Sequence, residues 1–115
     1  MWNPERFFRI HDALKKIVPE LLGLALVAGD GGFLLHAGDL VGDQRLIGST
    51  TAALTRLADH IADGLGECEQ PDICIHCRDH SALFFPVDSE VFLLVVPSSL
   101  EMSRALRREV QNLLR

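Results

Sequence analysis

The stretch LLGLALVAGDGGFLLHAG, residues 21–38, decides the fold. Its first eight residues, LLGLALVA, are apolar on both faces, as a strand covered on both sides must be. GDGG at 29–32 supplies residues that accept positive φ, which predicts a tight hairpin turn, and FLLHAG at 33–38 is the returning strand. A hairpin implies antiparallel pairing. A sheet that is apolar on both faces requires helices on both.

Working outward, the segment before the hairpin is helical. Phe7, Ile10, Leu14, Ile17 and Val18 form one stripe; Asn3 caps it, Pro4 suits its first turn, and Pro19 stops it. After a loop rich in glycine and aspartate, Asp43–Leu65 is a second helix. Its stripe is Leu46, Thr50, Leu54, Leu57, Ile61 and Leu65; Ala52, Ala53 and Ala58 keep it slim, and Gly64 and Gly66 end it. DICIHCR, residues 72–78, alternates as a strand, with Ile73, Ile75 and Cys77 on one face and Asp72, Cys74, His76 and Arg78 on the other. SALFFPV at 81–87, a turn at DSE and VFLLVVP at 91–97 add two strands. Beyond Pro97, either Ser98 or Ser99 caps a third helix with Leu100, Leu106, Val110, Leu113 and Leu114 inward and Arg104, Arg107 and Arg108 outward.

The expected fold is α/β, in the order α-β-β-α-β-β-β-α, and residues 1–115 read as a single domain. An apolar content of 48% is too high for a disordered chain. The formal charge of −5 leaves no basic excess for nucleic acid or for an anionic membrane, so the partners expected are proteins or small molecules. MWNPERFF lacks the apolar core of a signal peptide, and LLGLALVAG, nine residues, is too short to cross a bilayer. A cytoplasmic protein with reduced thiols at Cys68, Cys74 and Cys77 is expected.

In this order, GLALVAGDGGFLLHAG, the alanine-rich second helix and VFLLVVPSSLEMSRALRREV resemble the Roadblock family, which includes dynein light chains and bacterial regulators of Ras-like GTPases. The likeness spans about residues 5–114. It implies a five-stranded antiparallel sheet with helix 2 on one face and helices 1 and 3 on the other. It also implies a homodimer made by pairing the third strand of each subunit and packing the second helices. In this sequence the interface would include Arg45, Ala52, Thr55, Arg56, Asp59, Asp72, Cys74, His76 and Arg78, with Thr51, Thr55, Arg56, Asp59 and His60 among the outer positions of helix 2. An alternating strand beside a polar turn suits an unpaired edge. The implied function is a non-enzymatic scaffold that docks a small Ras-like GTPase and can modulate its nucleotide cycle; some family members do so by positioning the GTPase's own groups rather than inserting an arginine.

CIHC, residues 74–77, carries the competing reading, a metal- or redox-sensing module built on Cys68, Cys74, His76 and Cys77. On a helix or turn, C-x-x-C can share a metal. On a strand, residues i and i+3 face opposite sides, so this pair is separated. Cys74 and His76 do share a face, and Cys68 and His80, or a dimer mate, could complete a four-ligand set. The preferred reading is no metal and no cofactor, with Cys77 in the core and Cys74 under helix 2 or at a subunit contact. GDGG lacks the phosphate-loop pattern, and Asp30, Asp39 and Asp43 lack calcium-loop spacing. For a hydrolase, Ser49 has no strand-to-helix elbow and His60 reads as solvated, so no catalytic residue is assigned. The helix 3 arginines, with Arg115, read as cations placed near a helix C-terminus.

Overall fold

In a computed structural model, residues 3–38, 42–67, 71–88, 91–97 and 103–114 are described. The elements are α1 (Pro4–Ile17), β1 (Leu21–Ala28), β2 (Phe33–Gly38), α2 (Gln44–Gly64), β3 (Ile73–His76), β4 (Ser81–Asp88), β5 (Val91–Pro97) and α3 (Ser103–Leu114). The five strands form one antiparallel sheet in the order β2-β1-β5-β4-β3, so β2 and β3 are its edges.

The local chemistry explains the boundaries. The Arg6 amide donates to Asn3 Oδ1 at 2.8 Å, capping α1. In the GDGG turn Gly31 has φ +95°, and the Gly32 amide donates to Asp30 Oδ1 at 2.9 Å, so Asp30 builds the turn. Asp43 caps α2 by accepting from the Leu46 amide at 3.2 Å. At its other end Gly66 adopts φ +79°, while the Glu67 amide reaches Ala62 O at 2.9 Å and the Gly66 amide reaches Asp63 O at 3.1 Å. That is a Schellman closure, with glycine in the left-handed position. The expected caps at Ser98 and Ser99, the stripe position Leu100, the turn residues Ser89 and Glu90, and Asp39 and Arg115 lie outside the described residues, as does the side chain of Arg104.

The sheet has a core on each face. On one, Leu24, Leu26, Leu83, Phe85, Leu93 and Val95 meet Phe7, Ile10 and Leu14 of α1 and Leu106 and Val110 of α3. On the other, Ala25, Val27, Phe84 and Leu94 meet Ile47 and Leu54 of α2. Strand residues alternate between the two, so β1, β5 and the middle of β4, Ala82 to Val87, are apolar. Ile17 departs from the expected α1 stripe: it is exposed, and Val18, which caps the helix, is buried in its place.

Two other expectations change. First, the strand expected over 72–78 is four residues, Ile73–His76. The Cys77 amide donates to His80 O at 2.8 Å, so the hairpin closes early and Cys77 is exposed rather than in the core. Second, Thr51 and Thr55, expected on the outer side of helix 2, are buried against the sheet at 1% and 6% exposure. Their hydroxyls donate to Ile47 O at 2.6 Å and Ala52 O at 3.1 Å, which satisfies them in an apolar setting. Gly48 is the reason small side chains face inward: a Cβ there would overlap the Gly31 carbonyl. The helix start lies directly on the hairpin turn.

Candidate functional site

Turning Gly48, Thr51, Thr55 and Ala62 toward the sheet rotates the large apolar side chains of α2 away from it. Leu46 is 64% exposed, Leu57 62%, Ile61 66% and Leu65 75%. At about 3.6 residues per turn these four fall on one flank, with half-buried Leu54 at its inner margin. The strongest helical stripe in the sequence is therefore an external surface. Scattered exposed leucines are ordinary, whereas large apolar side chains grouped on one flank of a helix form a candidate contact surface.

The apolar flank borders the segment that leads into β3. Ile61 and Leu65 line a cleft of about 590 Å³ together with Pro71, Asp72, Arg107 and Gln111. Ile75, 38% exposed, points to the α2 face of β3, because its neighbour Ile73 packs with the α2-side core. Across the cleft, Arg107 Nε and Gln111 Nε2 donate to Asp72 Oδ2 at 3.2 and 2.6 Å. This contact ties α3 to the start of β3; as a partly exposed ion pair it contributes at most about 1 kcal/mol.

Cys74 and His76 project from the opposite face. Cys74 pairs with Leu83, which belongs to the α1/α3 core, and His76 pairs with Ser81. Cys74 is thus not under α2, as one expectation had it, but near Arg107 of α3. Burial pushes the Cys74 thiol above its ordinary value, and the Arg107 guanidinium opposes this more weakly. Cys74 Sγ lies 3.3 Å from His76 Nε2, and Ser81 Oγ lies 3.3 Å from His76 Nδ1. Cys74 and Cys77 are both free thiols, and Cys68 lies outside the described residues. Among the described residues, no three His, Cys, Asp or Glu side chains of one protomer group to hold a metal ion.

Of the residues expected at an interface, Asp72, Cys74, His76 and Arg78 lie along β3 and its ends. Arg45, Ala52, Arg56 and Asp59 lie on the flank of α2 opposite its apolar row, and Thr55 faces the sheet. The exposed leucines and isoleucine were visible in the sequence as a stripe. Their orientation was not, because periodicity reports a shared face and not which face the sheet takes. His60 is exposed, as expected, and so is Ser49. Among the described residues, no helix is long and apolar enough to cross a membrane.

With this geometry, the chain superposes on solved MglB proteins and Roadblock/LC7 domains. Myxococcus xanthus MglB aligns over 99% of this chain and 87% of that one, with TM-score 0.76 and 23% identity. The gliding protein MglB from Thermus thermophilus aligns over 99% and 90%, with TM-score 0.75 and 13% identity. A Roadblock/LC7 domain from Streptomyces avermitilis aligns over 90% and 87%, with TM-score 0.72 and 15% identity. No protein-family model and no curated protein sequence matches the chain. The fold is that of the Roadblock/LC7 domain. Within that class the chain is built like MglB along almost its whole length.

Proposed function

We propose that this chain is a non-enzymatic, cytoplasmic homodimeric scaffold that docks a small Ras-like GTPase and modulates its nucleotide cycle. The observation that carries the dimer is the exposed row Leu46, Leu57, Ile61 and Leu65 running beside the unpaired edge of β3. A two-fold axis perpendicular to the sheet would pair β3 with its copy and bring the two apolar flanks together on one side. Arg45, Ala52, Arg56 and Asp59 leave the proposed interface because they occupy the polar flank, and Thr55 leaves it because it is buried under its own helix.

The GTPase part of the proposal rests on the family resemblance and on the likeness to MglB, a gliding protein. The experiment is capture of the source organism's small GTPases, loaded with GDP or a non-hydrolysable GTP analogue, on the immobilised chain. The expected result is retention in one nucleotide state and a changed hydrolysis rate in solution. Failure to retain either form at micromolar concentration overturns the docking reading, and a solution mass of 12.7 kDa overturns the dimer.

A further inference from the structure

We propose that Cys74 and His76 are one half of a zinc site that a second copy of the chain completes across the β3 edge. The inference rests on the strand-edge pairing proposed above and adds a ligand to it.

The pair already has the span of a chelate. Tetrahedral zinc, with bonds of about 2.3 Å to sulfur and about 2.0 Å to nitrogen, holds its sulfur and nitrogen ligands about 3.5 Å apart. Cys74 Sγ and His76 Nε2 are 3.3 Å apart, on the same face of a strand and both exposed. The histidine is also oriented as a ligand would be. Ser81, 1% exposed, places Oγ 3.3 Å from His76 Nδ1. When Nδ1–H donates to that hydroxyl, Nε2 keeps its lone pair and directs it toward the sulfur. Zinc-bound histidines are held this way by an oxygen acceptor on the other ring nitrogen.

The backbone decides where the second half comes from. The Cys77 amide donates to His80 O, so Cys77 and His80 form a hydrogen-bonded pair of the β3–β4 hairpin. Bonded pairs recur every second residue in an antiparallel ladder. Ile75–Ala82 and Ile73–Phe84 are then bonded pairs, with the backbone groups of Ile73 and Ile75 directed to β4. Cys74 and His76 therefore turn their own N–H and C=O groups to the free edge. A two-fold copy can bond only to those outward residues. The registers that keep most of this four-residue strand paired place the axis at Cys74 or at Ile75. In the first, Cys74 faces the partner's Cys74; in the second, it faces the partner's His76.

Directly opposed residues have Cβ atoms about 4.5–5.5 Å apart, and the two-fold keeps equivalent sheet faces on the same side. Either register therefore gathers two thiolates and two imidazoles on one face. A Cys2His2 set is a tetrahedral zinc set, and the two thiolates neutralise the ion's charge. The site lies on the α1/α3 face, opposite the apolar flanks of α2, so dimer packing and metal binding use different sides of the sheet.

The test uses the full chain purified in chelator. Its mass is measured, and it is then loaded with zinc or with cobalt as a spectroscopic stand-in. The expected result is a dimer holding about 0.5 zinc per chain, with tetrahedral thiolate–cobalt absorption in the cobalt form. Cys74→Ser and His76→Gln should remove the metal while remaining folded by circular dichroism, and Cys77→Ser should keep it. Ser81→Ala should weaken zinc affinity roughly 10- to 100-fold. A dimer without stoichiometric zinc, a content of about one zinc per chain, or zinc retained in Cys74→Ser overturns the metal site and leaves the dimer standing. A chain that stays monomeric with and without zinc overturns both.

Discussion

Replacing Ile61 by alanine tests whether the exposed row of α2 is a buried surface in the functional assembly. In the protomer Ile61 is 66% exposed, so about two-thirds of its burial remains to be gained. Full burial of an isoleucine side chain contributes about 1.5–3 kcal/mol, which leaves about 1–2 kcal/mol for the interface. Alanine forfeits most of that. In a symmetric dimer the substitution appears twice, so the loss doubles to about 2–4 kcal/mol, or roughly 30- to 1,000-fold in the dimer Kd. Sedimentation velocity across a concentration series reads this directly. Arg56→Ala, on the opposite flank of the same helix, is the control and should leave Kd within about fivefold, since surface substitutions away from a contact stay within about 0.5 kcal/mol per site and this one occurs twice. Both variants should retain the parent circular dichroism spectrum, because neither residue is in the core. The reasoning is refuted if Ile61→Ala leaves Kd unchanged, or if Arg56→Ala weakens the dimer as much.

Gly48→Ala should lower stability by about 1–3 kcal/mol, because the added methyl must force the start of α2 off the Gly31 carbonyl. A thermal melt unchanged from the parent would show that this close approach does not constrain the helix. In a Cys68→Ser/Cys77→Ser background kept metal-free with chelator, the alkylation rate of Cys74 plotted against pH should have its midpoint above the ordinary thiol value of 9.0, and Arg107→Ala should move it higher by removing the opposing cation. The folded state holds this proton more tightly than the unfolded state does. The thiol's contribution to stability is therefore complete below its ordinary value and fades as pH rises through the folded one. A midpoint at or below 9.0, or a downward move in Arg107→Ala, contradicts the assignment of burial as the dominant cause.

How far the sequence was legible depended on whether the deciding interaction was local. The hairpin was readable because GDGG has one use between two apolar runs, and Gly31 takes the positive φ that the turn demands. The ends of α2 were readable for the same reason, through Asp43 at one end and Gly66 at the other. The Roadblock order of elements was readable from strand and helix periods alone. The bounds of β3 were not: at its start Asp72 is engaged by Arg107 and Gln111, residues far along the chain, and at its end the Cys77 amide closes the hairpin on His80 O. Nor was the orientation of α2. Small residues at 48, 51, 55 and 62 and large ones at 46, 57, 61 and 65 form two faces of one helix. Choosing the inner one by hydrophobicity alone selects the wrong face. Steric clearance over Gly31 makes the opposite choice.

Local geometry also separates the two free edges of the sheet. An edge strand invites pairing unless something bends or blocks it. Along β2, Leu26 pairs with Leu35 while Val27 pairs with Phe33, so Leu34 is an extra residue, a bulge that is 56% exposed. A bulge twists its strand and disrupts the ladder a newcomer would extend. β3 runs from Ile73 to His76 against β4 without a register shift. Pro71 and Asp72, just before β3, line the cleft with Ile61 and Leu65 of α2, and no residue on or next to β2 does. A partner approaching β2 would gain backbone bonds from a distorted strand. A partner approaching β3 would gain them from a regular one and would cover Ile61, Leu65 and Ile75 at the same time. Backbone pairing supplies orientation and apolar burial supplies most of the free energy. The edge that offers both is the one on which a second copy of this chain has reason to dock.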